Sequence, residues 1–207
     1  QLADELEARF KSKPLQGLVR FAAPEDYLSL PFSRILTRFS RIQPDVELQI
    51  EVGLTGNIRK HLHNGELDLA ILTQIPPSGE GLPLYRESLV WLASKDFQMP
   101  ANGVVPLALV PTPCLYRQTA LSMLEKAGMQ WQTVMSCHSH EAIKAAVESG
   151  LAVTVLTEKD LRPGMRILTK QDGFPDLGES EDALSDADAL AEDEPESAKF
   201  LRAYVGA

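Results

Sequence analysis

From residue 17 the chain alternates between two hydrophobic periodicities. "LVRFAA" (18–23) reads as a strand, and "LSLPFSRILTRFSRI" (28–42) as a helix with Leu28, Phe32, Ile35, Leu36, Phe39 and Ile42 on one stripe. Pro31 suits only the first turn of that helix, and Pro44 ends it. "VELQIEV" (46–52) alternates apolar and polar residues, which predicts a half-exposed strand. A short helix follows, pinned by Ile58 and Leu62 and closed by Gly65, before "LDLAIL" (67–72), a strand buried on both faces. The order predicts a βαβαβ unit with a parallel sheet.

The pattern then recurs. "PLALVP" (106–111), "TVMSC" (133–137) and "LAVTVLT" (151–157) read as strands, separated by helices over "YRQTALSMLEKAG" (116–128) and "SHEAIKAAVESG" (139–150). Each half ends alike: an apolar pair four apart (Ile58 and Leu62; Ile143 and Val147), a Gly (Gly65; Gly150), then a strand closing on Leu-Thr. Two similar α/β lobes follow, with a ligand cleft expected beyond the carboxyl ends of the strands.

Composition removes several function classes. The 207 residues are 44% hydrophobic with no apolar run of bilayer length, so a membrane role is not expected. Cys114 and Cys137 form no disulfide framework; they read as buried thiols in a reducing cytosol, although one bond between them stays open. The net charge of −9 is local: residues 171–197 hold eleven acidic and no basic residues, which leaves 20 basic against 18 acidic elsewhere. "GESEDALSDADALAEDEPES" is expected to be a solvated loop or mobile face. "QLADELEARF" places Leu2, Leu6 and Phe10 at helical spacing and reads as the tail of a longer helix, ended by Lys11, Lys13 and Pro14.

The chemistry expected is binding rather than catalysis. No G-x-S-x-G, Walker loop, G-x-G-x-x-G or H-E-x-x-H occurs. Cys137, His138 and His140 lack a fourth ligand and the usual spacing for a metal, and His61 and His63, two apart on a helix, face different ways. The Thr55-Gly56-Asn57 turn stands out: Thr55 is expected to cap the helix, Gly56 to let a ligand near the backbone, and the helix start to offer N–H groups and positive potential. Ser139 caps the corresponding helix of the second lobe, and Thr73 ends a central strand. Trp91 in "LVWLAS" alternates with apolar neighbours and reads as core or subunit contact rather than a ligand platform.

"GLVRFAAPEDYLSLPFSRILTRFSRIQPDVELQIEVGLTGNIRKHLHNGELDLAIL", with "LPLYRESLVWLASKD" and "AIKAAVESGLAVTVL", resembles the effector-binding domain of LysR-type transcriptional regulators. The most specific piece is Glu51-x-Gly53-x-Thr55, then Leu62, Gly65 and Leu67-Asp68-Leu69-Ala70-Ile71; "PTPCLYRQTALSMLEKAGMQW" further resembles the branch holding LrhA, HexA and PecT. The resemblance covers roughly residues 15–165.

It implies a fold like type II periplasmic binding proteins, two Rossmann-like subdomains joined by two crossing strands with a small effector between them. Residues 15–84 and 162–207 would form subdomain I and 85–161 subdomain II; 1–14 would end a linker helix, from which an N-terminal winged helix-turn-helix is absent in this chain. Effector contacts carry over to Ala23, Pro24 and Glu25, to Thr55, Gly56 and Asn57, and to Tyr116, Arg117, His138, Ser139 and His140. Arg117 could clamp a carboxylate or stand at the surface of a first helical turn. Glu25 and Asp26 depart from the Ser or Thr of many relatives and would repel an anion that Arg117 does not offset, and the acidic tail is less strand-like than the family's returning segment.

The implied function is a cytoplasmic ligand sensor without a cofactor, not an enzyme. It would bind an anionic or carbonyl-bearing effector, assemble as a homodimer or homotetramer, and reach DNA only through the missing domain. A solute-binding protein of a transporter is the alternative; an enzyme built on the same cleft stands behind it.

Overall fold

The computed structural model describes residues 15–27, 30–186 and 196–205. The expected linker-helix remnant (1–14) lies outside them. The chain divides into two units, residues 1–73, 79–84 and 182–207 in the first and 74–78 and 85–181 in the second.

In the first unit, β1 (Gly17–Ala23) pairs in parallel with β2 (Val46–Val52) and β3 (Leu69–Gln74). Helix α1 (Leu30–Ile42) joins β1 to β2, and α2 (Thr55–His63) joins β2 to β3, as the periodicities predict. The strand order is β2-β1-β3-β9-β4, with β4 (Leu82–Ser94) and β9 (Glu179–Asp186) each belonging partly to both units. Alternation along β1 divides two apolar layers. Val19, Phe21 and Ala23 pack with Phe32, Leu36 and Phe39 of α1 and with Ala198 and Leu201 of a last helix (Glu196–Val205), while Ala22 packs with Ile58 and Leu62 of α2. Each fully buried Phe or Leu there contributes roughly 1.5–3 kcal/mol. Asp68 pins the entry to β3 by accepting from the Arg20 backbone N–H at 2.7 Å and pairing with its guanidinium at 2.7 Å.

β2 is more exposed than its alternation predicts. Only Val46 is buried and Leu48 half-buried, because β2 is the sheet edge with β1 as its single partner.

The second unit holds a parallel pair, β5 (Val104–Leu109) and β6 (Gln130–Ser136), joined by α3 (Leu115–Lys126). Helix α4 (His140–Glu148) leads to β7 (Thr154–Thr157), which runs parallel to β5 through the Leu107–Val153 bridge and antiparallel to β4. The structure adds β8 (Met165–Leu168), antiparallel to β4. The recurring Gly holds: Gly65 and Gly150 sit at φ +71° and +85°, just past α2 and α4, where an L side chain is disfavoured.

Two expectations are corrected. Residues 162–181 belong with the second unit rather than the first, because β8 pairs with β4 and Phe174 packs on Trp91 with ring centroids 5.3 Å apart. Trp91 is core, donating its indole N–H to the Pro175 carbonyl at 2.9 Å. The acidic stretch is not a solvated loop over its described part: Glu179–Asp186 is strand β9, with Ser180, Glu181, Asp182, Ala183 and Leu184 buried. Partners make that burial tolerable, since Asp182 accepts from Thr73 and Glu181 from Arg86.

Among the described residues no helix is long and apolar enough to cross a membrane.

Candidate functional site

In the first unit, Ala23 ends β1 and is buried with Pro24, while Glu25 is exposed and Asp26 half-buried in the turn that Tyr27 N–H closes on the Pro24 carbonyl. Helix α2 begins differently from the expectation. Its N-cap is Leu54, in extended conformation and with no side-chain cap, and Thr55 is the first helical residue. The N–H groups of Asn57 and Ile58 already bond the Leu54 carbonyl at 2.8 and 3.0 Å. The amides before them, on Thr55 and Gly56, are the ones a helix start leaves without intrahelical acceptors.

The Thr55 hydroxyl turns inward. Its Oγ1 accepts the Thr73 backbone N–H at 3.3 Å, and the Thr73 hydroxyl donates to Asp182 Oδ1 at 2.8 Å, with all three residues buried. Thr55, Thr73 and Asp182 form a polar relay that locks the end of β3 to α2 and β9. Gly56 is half-buried and Asn57 exposed beside it.

In the second unit, strand direction collects the other predicted residues. β5, β6 and β7 share one direction, so the starts of α3 and α4 both follow carboxyl ends of the strands. The same end receives β4 as it enters the unit, since Leu89 lies opposite Thr157, the last residue of β7. Tyr116, Arg117, Ser139 and His140 therefore stand at one end of this sheet.

Their surroundings differ. Ser139 caps α4 as predicted, accepting the Ala142 N–H at 3.2 Å. Tyr116 is buried, its ring 6.4 Å from that of His140, and His138 is exposed. His140 is 8% exposed and its Nδ1 has no partner; the Arg117 Nη1 is likewise buried without one. A buried polar atom left unpaired costs about 1–3 kcal/mol, so these two are chemically unfinished positions at the helix starts.

A third such atom was not foreseen. Glu181, 1% exposed, accepts from Arg86 Nε on one oxygen at 2.5 Å and leaves Oε1 buried and unpartnered. Only its place in an acidic run marked it in the sequence, and that context pointed to solvent. Cys114 is buried and Cys137 half-buried, and no disulfide joins them. Among the described residues no grouping of His, Cys, Asp and Glu is placed to hold a metal.

Residues 12–171 match the family model of the LysR substrate binding domain. The chain belongs to that family. Among curated proteins it is similar to the HTH-type transcriptional regulator PecT of Dickeya dadantii, 28% identical over 180 residues that cover 86% of this chain and 56% of PecT. It is also similar to the HTH-type regulator DgdR of Burkholderia cepacia, 27% identical over 175 residues, 84% of this chain and 59% of DgdR. The chain thus spans a little over half the length of these relatives, both of them regulators rather than transport proteins.

Solved LysR domains share the fold at low identity. The C-terminal domain of a probable LysR family regulator from Rhodococcus gives a TM-score of 0.69 at 18% identity, covering 93% of this chain and 100% of that one. The effector-binding domain of QuiR, solved with shikimate, gives 0.66 at 14%, covering 92% and 95%. The Synechocystis CcmR regulatory domain, solved with 2-PG, gives 0.62 at 22%, covering 91% and 97%. These likenesses establish the periplasmic-binding-protein-like α/β fold of the LysR domains.

Proposed function

We propose that this chain is the ligand-sensing part of a cytoplasmic HTH-type transcriptional regulator, and that the starts of α3 and α4 hold the anionic or carbonyl group of a small effector. The observation that carries the reading is the pair of buried, unpartnered nitrogens, Arg117 Nη1 and His140 Nδ1, at two helix starts. Guanidinium, imidazole and the positive helix ends all favour an acceptor or an anion there. The reading is supported by the family and by relatives that were solved with shikimate and 2-PG.

The resemblance to the family implies effector contacts at Ala23, Pro24, Glu25, Thr55, Gly56 and Asn57 in the first unit, to which its central-strand position adds Thr73, and at Tyr116, His138 and Ser139 beside Arg117 and His140 in the second. The Thr55 and Gly56 amides are the donors of the first set. Regulation would pass through subunit arrangement: α1 and the exposed edge strand β2, with Ile50 and Val52 in solvent, suit a two-fold dimer or a tetramer built on it. DNA contact belongs to a helix-turn-helix portion of the kind the relatives' names carry.

A thermal-shift screen of small carboxylate, phosphate and carbonyl metabolites against wild type and Arg117→Ala tests this. At about 100 times its Kd a true effector raises the wild-type Tm by roughly 5–10 °C. Arg117→Ala should keep its ligand-free Tm and lose most of that rise. Equal rises in both proteins would remove Arg117 from the site.

A further inference from the structure

The second unit leaves three buried polar atoms unpartnered, and they are not all of one kind. Arg117 Nη1 can only donate, whereas Glu181 Oε1 is a carboxylate oxygen that can only accept. Glu181 comes from β9, just before the chain passes to the first unit at Asp182, and is anchored by Arg86 of β4.

Strand order places it. β4 lies between β9 and β7, and β7 bridges to β5, after which α3 and Arg117 follow. Lys159 pairs with Glu87 at 2.6 Å, which confirms that the segment just past β7 meets β4 next to Arg86. Glu181 therefore stands at the same end of the sheet as the α3 and α4 starts, three strand spacings or about 14 Å across the sheet from β5. An extended arginine and a metabolite-sized ligand together cover that lateral span.

We propose that Glu181 is a specificity-determining residue: its Oε1 accepts a hydrogen bond from a hydroxyl or ammonium group of the effector, so the ligand class is hydroxy acids or amino acids rather than plain carboxylic acids. The inference rests on the preceding reading that Arg117 takes the acidic end. A buried carboxylate oxygen is desolvated in every state of the protein, so a ligand that lacks the donor leaves it unpaired and binds worse. Arg86 keeps the other oxygen occupied and fixes which one faces the ligand.

The test uses matched acids on the 207-residue chain: propionate against lactate and alanine, and cyclohexanecarboxylate against shikimate, by titration calorimetry. The donor-bearing member of at least one set should bind about 10- to 100-fold tighter than its plain partner. In Glu181→Gln the amide oxygen stays on Arg86 and the amide N–H₂ replaces Oε1, setting donor against donor, so the preference should vanish while Arg117-dependent binding of the acid persists.

Preference retained in Glu181→Gln, or plain and donor-bearing acids binding alike to wild type, overturns the assignment of Glu181 and leaves the anion site standing. No binding by any of the five acids overturns both. The comparison within wild type decides the matter even if the variant does not fold.

Discussion

The backbone N–H of Thr73 donates to Oγ1 of Thr55 at 3.3 Å, tying the end of β3 to the first residue of α2. The threonine that the sequence offered as a helix cap instead serves a neighbouring strand. Its loss should be felt as an unpaired buried amide rather than as a missing cap. Thr55→Val is expected to destabilise the domain by about 1–3 kcal/mol, and Thr55→Ser, which keeps the oxygen, by less than about 1 kcal/mol. Urea unfolding of the three proteins checks this; equal stability of Val and Ser variants would show the bond to be unimportant.

Ser139 makes the cap that Thr55 does not. Ser139→Ala removes the acceptor of the Ala142 N–H and should cost about 1 kcal/mol, or roughly 2–4 °C in Tm for a chain of this size. Ser139→Asp should restore it, since aspartate caps equally well and adds a favourable charge at the helix start. The same charge should weaken any anionic effector held beside His140, so stability and affinity should move in opposite directions in calorimetry.

Glu141, in the first turn of α4, gives a pH signature. Hydrogen bonds from Lys144 and then Arg162 lower its pKa from the ordinary 4.5 to about 2. The unfolded chain therefore takes up a proton at higher pH than the folded one, so the stabilisation is complete above pH 4.5 and is lost as the pH falls toward 2. Melting curves of wild type and Glu141→Gln should differ near pH 6 and converge at low pH. A gap that stays constant throughout would rule out the ion pairs as its source.

Gly81 sits at φ +75°, and a Cβ there would lie 2.6 Å from the Leu184 carbonyl oxygen and 2.8 Å from Ser185 Oγ. The first neighbour is backbone of β9 and has no flexible end to move. Gly81→Ala should cost about 2–5 kcal/mol from the left-handed φ and the overlap together. Gly103→Ala shares the positive φ but meets nothing within 4 Å, so it should cost only about 1–2 kcal/mol. Paired denaturant melts separate the two terms.

Hydrophobic spacing alone carried the alternation of α1, α2, α3 and α4 with their strands, because a 3.6-residue stripe and a period of two are local properties of the chain. Gly65 and Gly150 were legible for the same reason, as left-handed exits from helices. Ser139 was read correctly since its acceptor and the Ala142 N–H are three residues apart. Thr55 was misread because its partner, Thr73, is eighteen residues away and no local rule contains it.

The acidic stretch shows the limit most plainly. Charge density predicts solvent when each residue is judged with its sequence neighbours, yet Glu181 and Asp182 are buried, having found Arg86 and Thr73 at separations of 95 and 109 residues. By itself the sequence determined the α/β periodicity, the family and the residues at the helix starts, all of which depend on short spacings. Only the tertiary structure decided where β4 and β9 run and which charges are enclosed. It also decided that Arg117, His140 and Glu181 each keep one unpaired atom, because burial and pairing depend on the chain folding back on itself over distances that no local pattern records.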